Sequence, residues 1–382
     1  MTTLTIDDAI LSTLEEGYTL PASWYTDRAI AELERERILS RSWQYAGPAD
    51  LVAEPGSFLA TRIAHAPVVL VRDEEGELRG FVNVCRHRAH LVASGNGKRK
   101  ALQCPYHAWT YGLDGCLRSA PRSDREPAFD KSQFSLIPVK VERLGPMLFA
   151  NLDTGAGPLA DVLGEVPARL AEGGVDLDQL VLRRRSGWNT QANWKTGLEN
   201  YLECYHCAPI HPELCEVTPP ESGIGYPAAP VGSWVGGPLA LRDGAQTMSL
   251  DGRSLGVPIP GLPATRTREV GYAALLPTLL VSPHPDYLMT HRLEPLAADR
   301  TRVECAWFFP PEAWDRPGFD PAYAAEFWDL VNRQDWAACE SVQRNTSSPG
   351  WRQGPFSPWE SDVHAVMSAV ARGYETGRLR IG

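Results

Sequence analysis

Cys85-Arg86-His87 and Cys104-Pro105-Tyr106-His107, with sixteen residues between them, decide how the first part of this chain is read. Two Cys-His pairs so spaced can ligate a two-iron cluster. Two thiolates can hold one ferric iron while two neutral imidazoles hold the other, and imidazoles leave the cluster less negative and raise its reduction potential. Gly80-Phe81-Val82-Asn83-Val84 leads into the first pair and Ala108-Trp109-Thr110-Tyr111 leaves the second, which puts each pair on a loop at a strand end. Zinc is the competing metal, since it also accepts two Cys and two His. Against zinc, each pair mixes one Cys with one His, whereas zinc-finger spacing segregates a Cys pair from a His pair. His90 and Cys116 fall outside the pattern and read as structural.

Around the motif, from about residue 44 to 155, short alternating runs such as Val68-Val69-Leu70-Val71 and Met147-Leu148-Phe149-Ala150-Asn151-Leu152 are separated by Gly, Asp and Pro. That pattern predicts an all-β unit. Upstream, residues 27 to 43 carry Ile30, Leu33 and Ile38 among dense charges, with Thr26 or Asp27 as a cap, and predict one amphipathic helix. Downstream, a helical stretch near Leu159 to Ala171 precedes a new segment opening at about residue 180. Tyr287 to Leu293 and Thr301 to Phe309 read as strands joined by the turn Ala297-Ala298-Asp299-Arg300. Residues 217 to 267 are rich in Pro and Gly and predict a long irregular region of the sort that lids a pocket. From Pro321 to about Asn345 the apolar residues recur with helical period. There is no internal repeat and no low-complexity tract.

The chain has 382 residues, 43% hydrophobic and 22% charged, enough for one large or two medium domains. A net charge of -10 argues against nucleic acid as partner, because binding a polyanion needs a basic face. Lys98-Arg99-Lys100 and Arg183-Arg184-Arg185 read as solvated faces or docking patches. The N-terminus has no cationic region ahead of an apolar stretch, so no secretory signal is expected. No apolar run approaches the ~20 residues of a membrane span. Eight cysteines do not make a disulfide scaffold in a chain this long, and a reducing cytoplasm fits. Cys204 and Cys207, on a predicted helix, read as buried small hydrophobes.

A second constellation lies in the segment Asn193 to His206. Trp194, Leu198, Tyr201, Leu202 and Tyr205 recur at helical spacing, which predicts a helix with one buried face and with Glu199, Glu203 and His206 sharing another. Pro209 and Pro212 end that helix, and His211 can then fold back toward His206. Two histidines and one carboxylate on one face of an iron leave positions open for oxygen and substrate. Asp335, in Asn332-Arg333-Gln334-Asp335-Trp336 on the late helix, is the candidate carboxylate. Taken alone, each of these three residues is an ordinary polar side chain.

The Cys-x-His and Cys-x-x-His pattern with Tyr-His-Ala-Trp-Thr-Tyr resembles Rieske [2Fe-2S] proteins. Nearly the whole chain resembles the α (large) subunits of Rieske-type non-haem iron oxygenases, in which Asn-Trp-Lys is followed by an acid, Tyr-His and a second His; here these are Asn193-Trp194-Lys195, Glu203, Tyr205-His206 and His211. Asp335, Glu340 and Gln343 look like the family segment that supplies the third ligand. The resemblance implies that Cys85, His87, Cys104 and His107 bind the [2Fe-2S] cluster, and that His206, His211 and Asp335 bind a mononuclear Fe(II). It implies an α+β fold: an N-terminal helical segment (1–43) packing on the catalytic domain, a β-rich Rieske domain (44–155), and a helix-grip, Bet v 1/START-like catalytic domain (156–382) of antiparallel sheet and helices. Most members have Asp where this chain has Glu203. Glutamate there resembles the subset acting on quaternary ammonium compounds (choline, glycine betaine, stachydrine and carnitine monooxygenases). The resemblance also implies a homotrimeric ring in which the cluster of one subunit meets the iron of the next, with Glu203 as the catalytic candidate bridging His206 and His107.

The activity so implied is O2- and reductase-dependent hydroxylation of a small molecule, favoured as N-demethylation or hydroxylation of a quaternary ammonium compound. No Gly-x-Gly-x-x-Gly element is present, so electrons come from a separate NAD(P)H-dependent reductase, directly or through a ferredoxin. One alternative keeps the class but makes the substrate aromatic, with hydroxylation or O-demethylation. Another makes the chain a Rieske electron-transfer protein with a ligand-binding domain; iron content separates the two. Tyr226, Trp234, Tyr272 and Trp307 are candidates for a pocket wall, with a core role as the ordinary alternative.

Overall fold

The computed structural model describes residues 8–172, 175–223 and 232–381, which fall into two compact units: Ser40–Leu159, and the residues up to Leu39 together with those from Ala160 onward. In the first unit, seven antiparallel strands lie in the order Gln44–Pro48, Met147–Asn151, Pro138–Leu144, Leu78–Val82, Ala66–Arg72, Ser57–Ile63 and Asn96–Lys98. Side chains alternate across a strand. Val69 and Val71 therefore join a core with Phe81, Cys85, Cys104, Trp109 and Tyr111, whereas Val68 and Leu70 face Leu59, Ile63, Leu148 and Ala150. The Cys-His loops rest on this apolar floor, where each fully buried Val or Leu contributes roughly 1.5–3 kcal/mol. A three-stranded sheet of Leu102–Gln103, Thr110–Tyr111 and Leu117–Ser119 carries the second pair at its first turn.

The second unit is built on a six-stranded antiparallel sheet in the order Val181–Thr190, Arg300–Phe309, Leu288–Ala297, Leu279–Pro283, Glu269–Leu275 and Trp234–Ala240. The 24-residue helix Ala322–Asn345 packs on it. Asn332 Oδ1 lies 3.0 Å from His291 Nε2, and Trp328 Nε1 donates to Tyr287 OH at 3.0 Å. A long helix held by an antiparallel sheet is the helix-grip layout. The hairpin expected at Ala297 to Arg300 is present, pairing Leu288–Ala297 with Arg300–Phe309.

Asn193 starts the helix Trp194–Tyr201: its side chain accepts from Lys195 N–H at 3.0 Å and its amide donates to the carbonyls of Tyr25 and Ala298. Lys195, fully buried, pairs with Glu34, which also accepts from Trp194 Nε1 and Tyr374 OH. Glu34 ends the helix Arg28–Glu34, so a buried charge pair ties the N-terminal segment to this unit.

Four local expectations change. The helix after Asn193 ends at Tyr201, before Glu203, so Glu203 and His206 do not share a helical face. Instead the Glu203 carboxylate captures the His206 backbone N–H at 3.0 Å, a side-chain bond that competes with helix propagation. The stretch near Leu159 to Ala171 is two helices, Leu159–Leu163 and Val166–Leu170, parted at Gly164 with φ +53°. Residues 27 to 43 form Arg28–Glu34, capped by Asp27, and then a wider π turn over Arg35–Leu39. Finally, the irregular region 217–267 contains the edge strand Trp234–Ala240. Gly236, Gly237 and Pro238 hide its alternation. A Cβ at Gly236 would lie 2.1 Å from Tyr272 O, so pairing requires glycine there, and Pro is tolerated at a sheet edge.

Candidate metal centres

In the first unit the two Cys-His loops share one backbone plan. Cys85 N–H donates to His90 O and Cys104 N–H to Trp109 O, both at 2.8 Å, and the two cysteine carbonyls accept from Ala89 and Ala108 N–H, both at 3.0 Å. Ala89 and Ala108 each have φ +59°, a left-handed conformation uncommon outside glycine. Cys85 and Cys104 are buried, while His87 and His107 are exposed with rings 4.7 Å apart. Tyr111 OH accepts from Arg86 N–H at 3.0 Å and lies 3.3 Å from Cys85 Sγ, placed to donate to that sulfur once it is a thiolate. Burial pushes the Cys104 thiol up, opposed by the N–H groups of Tyr106 and His107 aimed at its sulfur. Burial and then the neighbouring His107 ring hold His87 below its ordinary value, in the neutral form that ligates metals. Two buried thiols beneath two exposed imidazoles fit a cluster with inequivalent irons.

In the second unit, His206 Nε2, His211 Nε2 and Asp335 Oδ1 form a triangle with sides of 3.2, 2.8 and 3.4 Å. An ion about 2.1 Å from each of three ligands at right angles needs them about 3 Å apart, so the residues fit a facially bound iron. His206 Nδ1 donates to Glu203 Oε1 at 2.6 Å and His211 Nδ1 to Gln334 Oε1 at 2.7 Å. With both Nδ1 protons so placed, each Nε2 lone pair faces the centre. Burial works against charge on His206, but Asp335 and Glu203 outweigh it and push the imidazole up to about 10. A metal ion binding here would take the place of the Nε2 proton, with the same two carboxylates compensating its charge. Among the described residues, this is the set of His, Cys, Asp and Glu ligand atoms that all lie within 4.8 Å of one another.

The triangle opens on a cavity of about 440 Å³ walled by Tyr201, Tyr272, Trp328 and Trp359 among others. Of the expected wall residues, Tyr272 is there; Trp234 and Trp307 are buried core and do not line it, and Tyr226 lies outside the described residues. Cys204 and Cys207, expected as core, line the cavity beside His206. Glu340 accepts from Gln191 N–H at 3.0 Å and Gln343 from Asn193 N–H at 2.9 Å, so both anchor the late helix away from the triangle. Sequence reasoning misses Gln334 and Tyr111 as partners of ligands. Gln334 carries no signal beyond adjacency to Asp335, whereas Tyr111 was legible only as a strand residue.

Family models match both units: a Rieske [2Fe-2S] domain over residues 42–138, and the ring hydroxylating alpha subunit (catalytic domain) over residues 177–376. The chain belongs to the ring-hydroxylating α-subunit family of Rieske oxygenases. It is an oxidoreductase whose cofactors are a [2Fe-2S] cluster and a mononuclear iron, which removes the zinc and electron-carrier alternatives. It is 29% identical to a glycine betaine monooxygenase oxygenase subunit of Pseudomonas aeruginosa (strain UCBPP-PA14), over 91% of this chain and 87% of that one. With a carnitine monooxygenase oxygenase subunit of Acinetobacter pittii (strain PHEA-2) it shares 39% identity over 52% of this chain and 54% of that one, so the chain spans about half the length of that relative. A solved quaternary ammonium Rieske monooxygenase, studied for carnitine oxidation and inter-subunit electron transfer, matches with a TM-score of 0.83 and 26% identity over 96% of this chain and 98% of that one. No helix among the described residues is long and apolar enough to cross a membrane.

Proposed function

We propose that this chain is the oxygenase component of a multicomponent system that hydroxylates a quaternary ammonium compound, in the favoured case at an N-methyl carbon. The observation that carries this reading is the His206–His211–Asp335 triangle opening on a cavity with four aromatic walls. Aromatic faces hold a methylated ammonium by cation–π attraction. Likeness to the carnitine and glycine betaine oxygenase subunits supports the same substrate class. When bound, the cluster and the mononuclear iron supply electron delivery and oxygen activation for insertion of one oxygen atom into a C–H bond. His206, His211 and Asp335 would hold the iron, and Glu203 and Gln334 hold the two imidazole protons on Nδ1. Hydroxylation of an N-methyl group gives a product that loses formaldehyde: the C–N bond breaks with its electron pair returning to nitrogen, and the hydroxyl proton passes to solvent.

Electrons reach the chain from a separate NAD(P)H-dependent reductase, directly or through a ferredoxin. None of the eight cysteines is paired in a disulfide, in keeping with a reducing cytoplasm. The assembly is a homotrimeric ring, supported by the exposure of His107 in one unit and of Tyr205, 63% exposed beside His206, in the other. In that ring Glu203 bridges its own His206 and the next subunit's cluster. The test of the activity is a product screen with reductase, oxygen and a panel of methylammonium and aromatic compounds. Formaldehyde from methylammonium compounds alone is expected; hydroxylated arenes with no formaldehyde from any methylammonium compound would overturn it.

A further inference from the structure

Charge in the substrate cavity is one-sided. Besides Glu203 and Asp335, which serve the metal centre, its wall carries the carboxylates of Glu221 and Asp362 and, among the described residues, no lysine or arginine. The undescribed stretch Ile224-Gly225-Tyr226-Pro227-Ala228-Ala229-Pro230-Val231 has no basic residue to add. Bases in the surrounding elements are engaged elsewhere: Lys195 with Glu34, Arg242 with the Cys215 carbonyl, and Arg333 with Asp329. The two cavity histidines face the metal centre.

Asp362 lies in the first turn of the helix Ser361–Thr376, and Trp359 lines the same part of the wall three residues earlier. Burial alone pushes the Asp362 carboxyl up to about 6, with no cation beside it to hold it down. A carboxylate that is partly desolvated, lacks a counter-charge and faces a cavity is completed by a cationic ligand. A zwitterion fares worse. Its own carboxylate would enter a cavity that already holds two carboxylates besides those at the metal centre and offers no lysine or arginine among the described residues, so it would lose hydration without gaining a partner. Carnitine and glycine betaine, which name two of the relatives, are zwitterions of this kind.

Resting on the function proposed above, we infer that the substrate is a quaternary ammonium compound of net positive charge, without a carboxylate, and that Asp362 sets this preference. The aromatic walls take the methylated ammonium face, and Asp362 supplies the Coulombic discrimination.

Titration calorimetry on the purified iron-loaded oxygenase, without turnover, tests this with choline, glycine betaine and the methyl ester of glycine betaine. Ester and acid share the same ammonium group and differ chiefly in the negative charge. We expect the ester and choline to bind on the order of tenfold more tightly than betaine, and Asp362→Asn to erase most of that ratio by weakening the cations. The wild-type ratio needs no variant, so the inference stays testable if Asp362→Asn fails to fold. Betaine binding as tightly as its ester, or a ratio untouched by Asp362→Asn, overturns the inference and leaves the quaternary ammonium reading standing. Binding of a neutral arene with none of the three ammonium compounds overturns both.

Discussion

The two regions proposed to bind metal in this chain are specified in opposite ways. Each cluster loop is local: a cysteine, a histidine two or three positions on, and a left-handed alanine four positions after the cysteine, repeated with matching hydrogen bonds at Cys85 and Cys104. The iron triangle is distributed. His206 and His211 come from one broken helical segment, but Asp335 lies 124 residues beyond His211, and Gln334 must arrive with it to hold the His211 ring. A local site survives changes elsewhere in the fold, whereas a distributed one depends on the sheet and long helix that bring its parts together.

The largest effect should come from Cys85→Ser, because a hydroxyl is a poor replacement for a cluster thiolate. We expect loss of the visible cluster absorption and of all turnover; a fully active variant would end the cluster assignment. Glu203→Gln keeps an acceptor for His206 Nδ1 and removes the charge. Iron and dithionite reduction of the cluster should be retained while turnover falls about 10–100-fold, measured by steady-state oxygen uptake with a saturating reductase. Unchanged turnover would leave Glu203 with orientation of His206 alone.

Stability, rather than turnover, gives a separate comparison of the regions. Lys195→Ala strands Glu34 as an unpaired buried charge, and breaking such a pair costs about 3–5 kcal/mol. Denaturant unfolding followed by tryptophan fluorescence should show that loss, and a cost under about 1 kcal/mol would mean that the pair does not bear on folding. The smallest effect should be Tyr111→Phe. Its hydroxyl proton stabilises the more negative, reduced cluster through Cys85 Sγ, so its removal lowers the potential. A hydrogen bond worth about 0.5–1.5 kcal/mol corresponds to roughly 20–65 mV for one electron. A rise in potential on redox titration would contradict the direction.

The same contrast governs what the sequence makes legible. The paired loops at Cys85–His87 and Cys104–His107 are readable because spacing alone nearly fixes a loop. His206 and His211 are readable as a pair, but the helix drawn through Glu203 stops at Tyr201, since capture of a backbone N–H by Glu203 leaves no mark on periodicity. The strand Trp234–Ala240 is masked by the glycines its close pairing demands. Asn193-Trp194-Lys195 is readable as a family landmark, yet its work is structural: a helix cap and two ligands of buried Glu34. Tertiary structure places Gln334 opposite His211 and Asp362 on the cavity wall, and nothing within a window of sequence records that.

The most direct test of two independent metal centres in one chain is a count of iron and inorganic sulfide in the wild type, His211→Ala and Cys85→Ser. Wild type should hold three irons and two sulfides per chain, one [2Fe-2S] cluster plus one mononuclear iron. His211→Ala should hold two irons and two sulfides with the cluster spectrum intact, and Cys85→Ser one iron and no sulfide. A wild type with only two irons, or a His211→Ala variant that keeps the third, would contradict the distributed iron site.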